Sequence, residues 1–87
     1  MHFVKKAKYL GDYKLRLTFE KGTVKIIDLK RHLKGEIFKP LVDKEYFKKV
    51  RVNRDLETIV WSNGADISPD FLYKIGISEK SRQSKAV

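Results

Sequence analysis

The sequence predicts a small α+β domain. It should hold a mainly antiparallel sheet of about five strands, a three-stranded meander plus a hairpin, with two or three short helical segments. Three observations carry this expectation. Tyr13, Leu15, Leu17 and Phe19 alternate with Lys14, Arg16 and Thr18, the period of two of a strand with one buried and one wet face. Glu20-Lys21-Gly22 and Asn63-Gly64 are turn signals set between apolar runs. Ser68-Pro69-Asp70 opens a helix in the proper order: a hydroxyl N-cap, proline at the first helical position, then an acid near the positive helix end.

The remaining elements follow along the chain. Residues 3–10 read as the first strand, with Phe3, Ala7 and Tyr9 on one face and Lys6 and Lys8 on the other. Gly11-Asp12 is a turn. Residues 23–29 form the third strand, where the adjacent Ile26-Ile27 breaks alternation and calls for a bulge or a partly covered second face. Leu29, Leu33, Phe38 and Leu41 are spaced as in short helical turns, which Gly35 and Pro40 keep from growing. Asp43 caps a helix over 44–49, with Tyr46, Phe47 and Val50 on one side. Residues 50–53 and 58–61 are short strands joined by Arg54-Asp55-Leu56-Glu57. Phe71, Leu72 and Ile75 line the last helix, and Gly76 ends it. The expected core is Leu15, Leu17, Phe19, Phe47 and Trp61. Residues 1–76 make one domain; the polar stretch 77–87 is expected to be disordered.

Eighty-seven residues leave room for one domain. With no cysteine, disulfides, thiolate metal sites and thiol catalysis are excluded. No signal-peptide run is seen, and no stretch approaches the ~18 apolar residues of a membrane span. A cytoplasmic location away from membranes is the expectation. The net charge is +9, and it is uneven. Residues 30–54 carry nine Lys or Arg against three acids, whereas 55–76 carry one Lys against four acids. Two readings stand. Lys30, Arg31, Lys34, Lys39, Lys48, Lys49, Arg51 and Arg54 contact nucleic acid, or they form a solvated surface that keeps a small protein soluble.

Chemistry-bearing patterns are sparse. Asn63, Asp66 and Asp70 offer oxygen ligands of the kind a hard cation takes, but without the spacing of a binding loop. Each also has a local use: Asn63 in the turn, Asp66 on nearby backbone amides, Asp70 at a helix start. His2 and His32, the only histidines, lack partners for a Ser-His-Asp arrangement. No glycine-rich phosphate loop is present. No catalytic residue, metal or cofactor is therefore expected. Trp61 alternates with Ile59 and is either core or an exposed binding anchor. Tyr9, Tyr13, Tyr46 and Tyr73 either stack bases or sit at sheet edges with wet hydroxyls.

The stretch from Thr58 to Tyr73 carries Trp61-Ser-Asn-Gly-Ala-Asp-Ile-Ser-Pro-Asp70. With Tyr9-Leu-Gly-Asp-Tyr-Lys-Leu-Arg-Leu-Thr-Phe-Glu-Lys-Gly-Thr-Val24 and Ile37-Phe-Lys-Pro-Leu41, it resembles the small bacterial proteins of domain-of-unknown-function family 2442 over residues 3–76. The resemblance implies an α+β fold and no established enzymatic activity. Some members look like an N-terminal module joined to a helix-turn-helix; others are single domains beside small proteins suspected of being toxins. Only eleven residues, mostly polar, follow Gly76 here, too few for a helix-turn-helix. The functional expectation is a non-enzymatic interaction module that binds a protein partner, as an antitoxin-like or regulatory subunit. Trp61, Asn63, Asp66 and Asp70 are its candidate interaction residues, and the edge of the first strand is open to homodimer pairing. The alternative is weak, sequence-tolerant nucleic-acid binding through 30–54. A charge of +9 would repel a basic toxin, but the acidic 55–76 segment can dock one locally.

Overall fold

The structure, a computed structural model, describes residues 2–79. Four strands, β1 (Val4–Gly11), β2 (Lys14–Phe19), β3 (Val24–Asp28) and β6 (Ile77–Ser78), form an antiparallel sheet in the order β1-β2-β3-β6. Two more, β4 (Arg51–Asn53) and β5 (Thr58–Val60), pair separately as a hairpin. Two short helices, α1 (Lys44–Phe47) and α2 (Pro69–Ile75), and 3-10 turns at Lys30–His32 and Glu36–Val42 complete the cover. The α+β class and the meander stand as expected, but the strands divide between two sheets.

The first strand corrects the expected faces. Val4 lies opposite Phe19 and Lys6 opposite Thr18, so Lys5 is an extra residue in β1. Such a bulge switches the parity of the residues before it. Val4, at 1% exposure, therefore takes the core position expected of Phe3 and shares a face with Ala7 and Tyr9. In contrast, the β2–β3 register runs unbroken from Lys14 opposite Asp28 to Thr18 opposite Val24. The Ile26-Ile27 pair is thus no bulge. Ile27 is buried in the core and Ile26, on the other face, is half-covered beside its partner Ile77.

That pairing moves the ordered boundary. The chain was expected to lose structure at 77, yet Ile77 and Ser78 pair with Ile26 and Lys25, and Glu79 bonds Arg16. Backbone pairing along β3 supplies hydrogen bonds that side-chain polarity does not foretell. Residues 80–87 of the expected tail lie outside the described residues. Gly76 ends α2 as expected, its N–H donating to the Leu72 carbonyl, but by another conformation. Its backbone is extended, with φ −69° and ψ 150°, not left-handed. A Cβ there would stand 2.9 Å from the Lys25 Cβ, so Gly76 allows the chain leaving α2 to pass close against β3.

One face of the four-stranded sheet is covered. Leu15, Leu17, Phe19 and Ile27 pack beneath Leu41, Phe47, Ile59, Trp61 and Leu72. The caps were legible: the Asp43 carboxylate accepts from the Glu45 N–H, and the Ser68 hydroxyl accepts from the Phe71 N–H. No described helix is long and apolar enough to cross a membrane. The molecule is 18 Å across its thinnest axis, the thickness of two layers. The opposite face of the sheet is bare among the described residues. β1 lies at a sheet edge as expected, but the Val4 N–H donates to the Glu57 carbonyl and Lys5 pairs with Glu57 at 3.1 Å. The β4–β5 connection thereby closes the N-terminal part of that edge.

Candidate functional site

The Trp61–Asp70 segment is largely occupied with holding the fold. Trp61 is 2% exposed; its ring leans on Phe47, and its Nε1–H donates to the Phe47 carbonyl at 2.9 Å. It is a core residue and closes the C-terminal end of α1. The Asn63 side chain reaches two ways: Nδ2 donates to the Ile37 carbonyl at 2.8 Å, and Oδ1 accepts from the Ala65 N–H. Gly64, at φ 91°, completes the turn that lets Trp61 and Ala65 bond each other. Thr58, buried and polar, donates to the Ile67 carbonyl. The Asp70 carboxylate accepts from the His2 backbone N–H at 2.9 Å. Asp66 differs from these neighbours. Its backbone bridges Val60, but its carboxylate is exposed and makes no hydrogen bond among the described residues. Asn63, Asp66 and Asp70 thus do not act as one polar cluster.

Asp66 stands instead at an opening. His32, Phe38, Ile67, Ser68 and Phe71 line a groove with it, about 300 Å³ in volume. Phe71 is 37% exposed, and its ring meets the edge of His32 with centroids 5.2 Å apart. Ile67, at 9% exposure, belongs to the core beside it. The Asn63–Ile37 bond anchors the segment that carries Phe38 to the Asn63 turn. Phe71 was expected to help line the core side of its helix. Leu72 takes that place at 0% exposure, with Tyr73 and Ile75 packed against the core beside it, and Phe71 falls a 100° step away on the open side. Nothing local pointed to His32 or Phe38, since the groove assembles from segments more than twenty residues apart.

The family model described as protein of unknown function (DUF2442) matches residues 4–78, nearly all of the folded chain. The chain belongs to the DUF2442 family. No curated protein and no solved structure gives a significant match.

In this DUF2442 domain the basic residues expected to meet nucleic acid are all exposed, but they are distributed. Lys30 and Arg31 lie on the 3-10 turn after β3 and border a cleft with Asp28 and His32. Lys34 follows in a loop, and Lys39 is in the Glu36–Val42 turn. The helix expected over 44–49 stops at Phe47, so Lys48 caps it and Lys49 follows in a turn; Arg51 is on β4 and Arg54 is in the hairpin turn. Lys48 is already engaged by Glu45 at 2.7 Å, and that hydrogen bond raises its pKa. The clearest charge pairing joins the β1–β2 turn to α1: Lys44 bonds Asp12 at 3.1 Å. The Lys44 hydrogen bond lowers the Asp12 pKa, and the Asp12 carboxylate raises that of Lys44.

Proposed function

We propose that this DUF2442 domain is a non-enzymatic interaction module that docks a protein partner at the groove of His32, Phe38 and Phe71. The observation that carries the reading is Phe71, an aromatic ring left part-exposed in a concave setting beside an unengaged carboxylate. Aromatic anchors in such settings dominate binding energy at interfaces. The groove is at the small end of ligand sites, sized for one or two apolar side chains of a partner. Asp66 at its rim would face a cation or donor on the incoming chain. A basic, toxin-like protein in a bacterial cytoplasm fits this chemistry, because local complementarity at Asp66 opposes the long-range repulsion from a net charge of +9.

The test is association with the product of the neighbouring gene, followed by calorimetry. Phe71→Ser should weaken the complex by about thirtyfold, the scale of an interface hot spot. Asp66→Asn should act mainly on the association rate and make it less sensitive to salt. A wild-type domain that ignores the neighbour's product, or variants that bind it equally well, would overturn the reading. The exposure of all the 30–54 cations supports the alternative of weak, sequence-tolerant nucleic-acid binding. Its signature is a steep salt dependence, about −0.9 in log–log slope for each duplex phosphate neutralised.

A further inference from the structure

We propose that the bare face of the four-stranded sheet is a second docking surface, suited to an acidic amphipathic helix of a partner protein. The β-ladder registers place Lys8, Arg16, Ile26 and Ile77 in one row across all four strands. Lys6, Thr18 and Val24 form the row beside it. The face is therefore divided lengthwise. Cations stand on β1 and β2, and branched apolar side chains stand on β3 and β6. Lys8 lies directly opposite Arg16, an arrangement that like charges normally disfavour. Ile77 is 60% exposed, and no described element lies over either row.

The protein's own Glu79 shows what this face accepts. Its carboxylate receives both arms of the Arg16 guanidinium, Nε at 2.8 Å and Nη2 at 3.2 Å. Two-armed pairing of this kind is selective for planar anions. Beside it, Arg16, Lys21, Val24 and Glu79 border a cleft of about 460 Å³. A helix about 10 Å across spans roughly two strands at about 4.8 Å spacing. Laid along β3 and β6, its apolar stripe would cover Ile26 and Ile77, while carboxylates on its flank reached Lys8, Lys6 and, in competition with Glu79, Arg16. A nucleic acid matches the cations but leaves the isoleucines wet, and neither row carries an aromatic side chain to stack a base. The chain's own residues 80–87 are ill-suited occupants, because they bring Lys80, Arg82 and Lys85 and no acid. This face is distinct from the groove at Phe71, and the proposal does not depend on that site.

The probe is a fluorescent synthetic helix with a leucine stripe flanked by glutamates. Controls are the same peptide with lysines for glutamates and a short DNA duplex. Binding is read by anisotropy and by amide chemical shifts of the full chain. The acidic peptide should bind and shift amides of β1, β2, β3 and β6, with affinity falling as salt rises. Lys8→Glu should weaken it about tenfold, Glu79→Gln should tighten it by freeing Arg16, and Phe71→Ser should leave it unchanged. No binding of the acidic peptide, equal binding of the lysine peptide, preference for the duplex, or shifts centred on Phe71 would each overturn the proposal.

Discussion

The two faces of β2 differ as much as any two regions of the molecule. Leu15, Leu17 and Phe19 are at most 1% exposed, whereas Lys14, Arg16 and Thr18, one residue away in each case, meet no covering layer. The covered face takes its neighbours from β3, the Glu36–Val42 turn, α1, β5, Trp61 and α2, so almost every segment depends on it. The other face is held by backbone pairing and the Arg16–Glu79 ion pair, and is free to carry charge. Packing dictates residue identity on one side of the strand; on the other, that choice is left to whatever the protein meets.

Substitutions can break that contrast in graded steps. Leu17→Ala should cost about 2–5 kcal/mol in a denaturant melt, while Thr18→Ala, next in sequence but on the bare face, should stay within about 0.5 kcal/mol. Comparable losses at both positions would mean that the face is not bare in solution. Trp61→Phe keeps a ring against Phe47 but leaves a void in the core and takes one of two donors from the Phe47 carbonyl, which keeps the Val50 N–H; a loss of about 1–3 kcal/mol should show in thermal unfolding. Gly76→Ala forces a methyl to 2.9 Å from Lys25, and about 1–3 kcal/mol of overpacking cost is expected. Amide exchange should then report a loosened β6. Asn63→Ala should be milder, near 1 kcal/mol, because the freed Ile37 carbonyl is close to water.

The smallest effect is the Asp12–Lys44 pair, exposed at both ends. Asp12 is lowered below its ordinary value, so its contribution is present above the unfolded carboxyl pKa and fades as pH falls through the folded one. Lys44 is raised, so its contribution is present below the unfolded ammonium pKa and is lost as pH rises through the folded one. Stability measured for the wild type minus Lys44→Met should therefore be flat between about pH 5 and 9. A slope inside that window would assign the effect to another group.

What could be read in advance was local. The alternation of β2, the Asn63-Gly64 turn and the Ser68 cap each depend on residues close in sequence, and each is found in place. What was missed was register and long-range return. Val4 displaced Phe3 because of a bulge defined only by the partner strand. Ile26 found its cover at Ile77, fifty-one residues on. Gly76 ended its helix as read, but the need for glycine there comes from the close approach to Lys25. The candidate groove divides the same way. Asp66 was singled out from its own segment, while His32 and Phe38 entered only once the chain had folded. Trp61 and Asn63 were read as candidate interaction residues, but their side chains bond the carbonyls of Phe47 and Ile37 within the fold.

The Asn63 turn also bears on chemical ageing. An asparagine followed by glycine is prone to lose its side-chain amide when the next backbone nitrogen attacks it, and asparagine is among the thermolabile residues. Here the Gly64 nitrogen is tied to the Trp61 carbonyl at 3.0 Å and the Asn63 amide to Ile37 at 2.8 Å. Nucleophile and target are each held by other bonds. Deamidation at this site should therefore run on the clock of local opening: slow in the native protein, fast in denaturant, and each event would replace a donor to Ile37 with a negative charge. The shelf life of a sample becomes a running record of how often this turn comes apart.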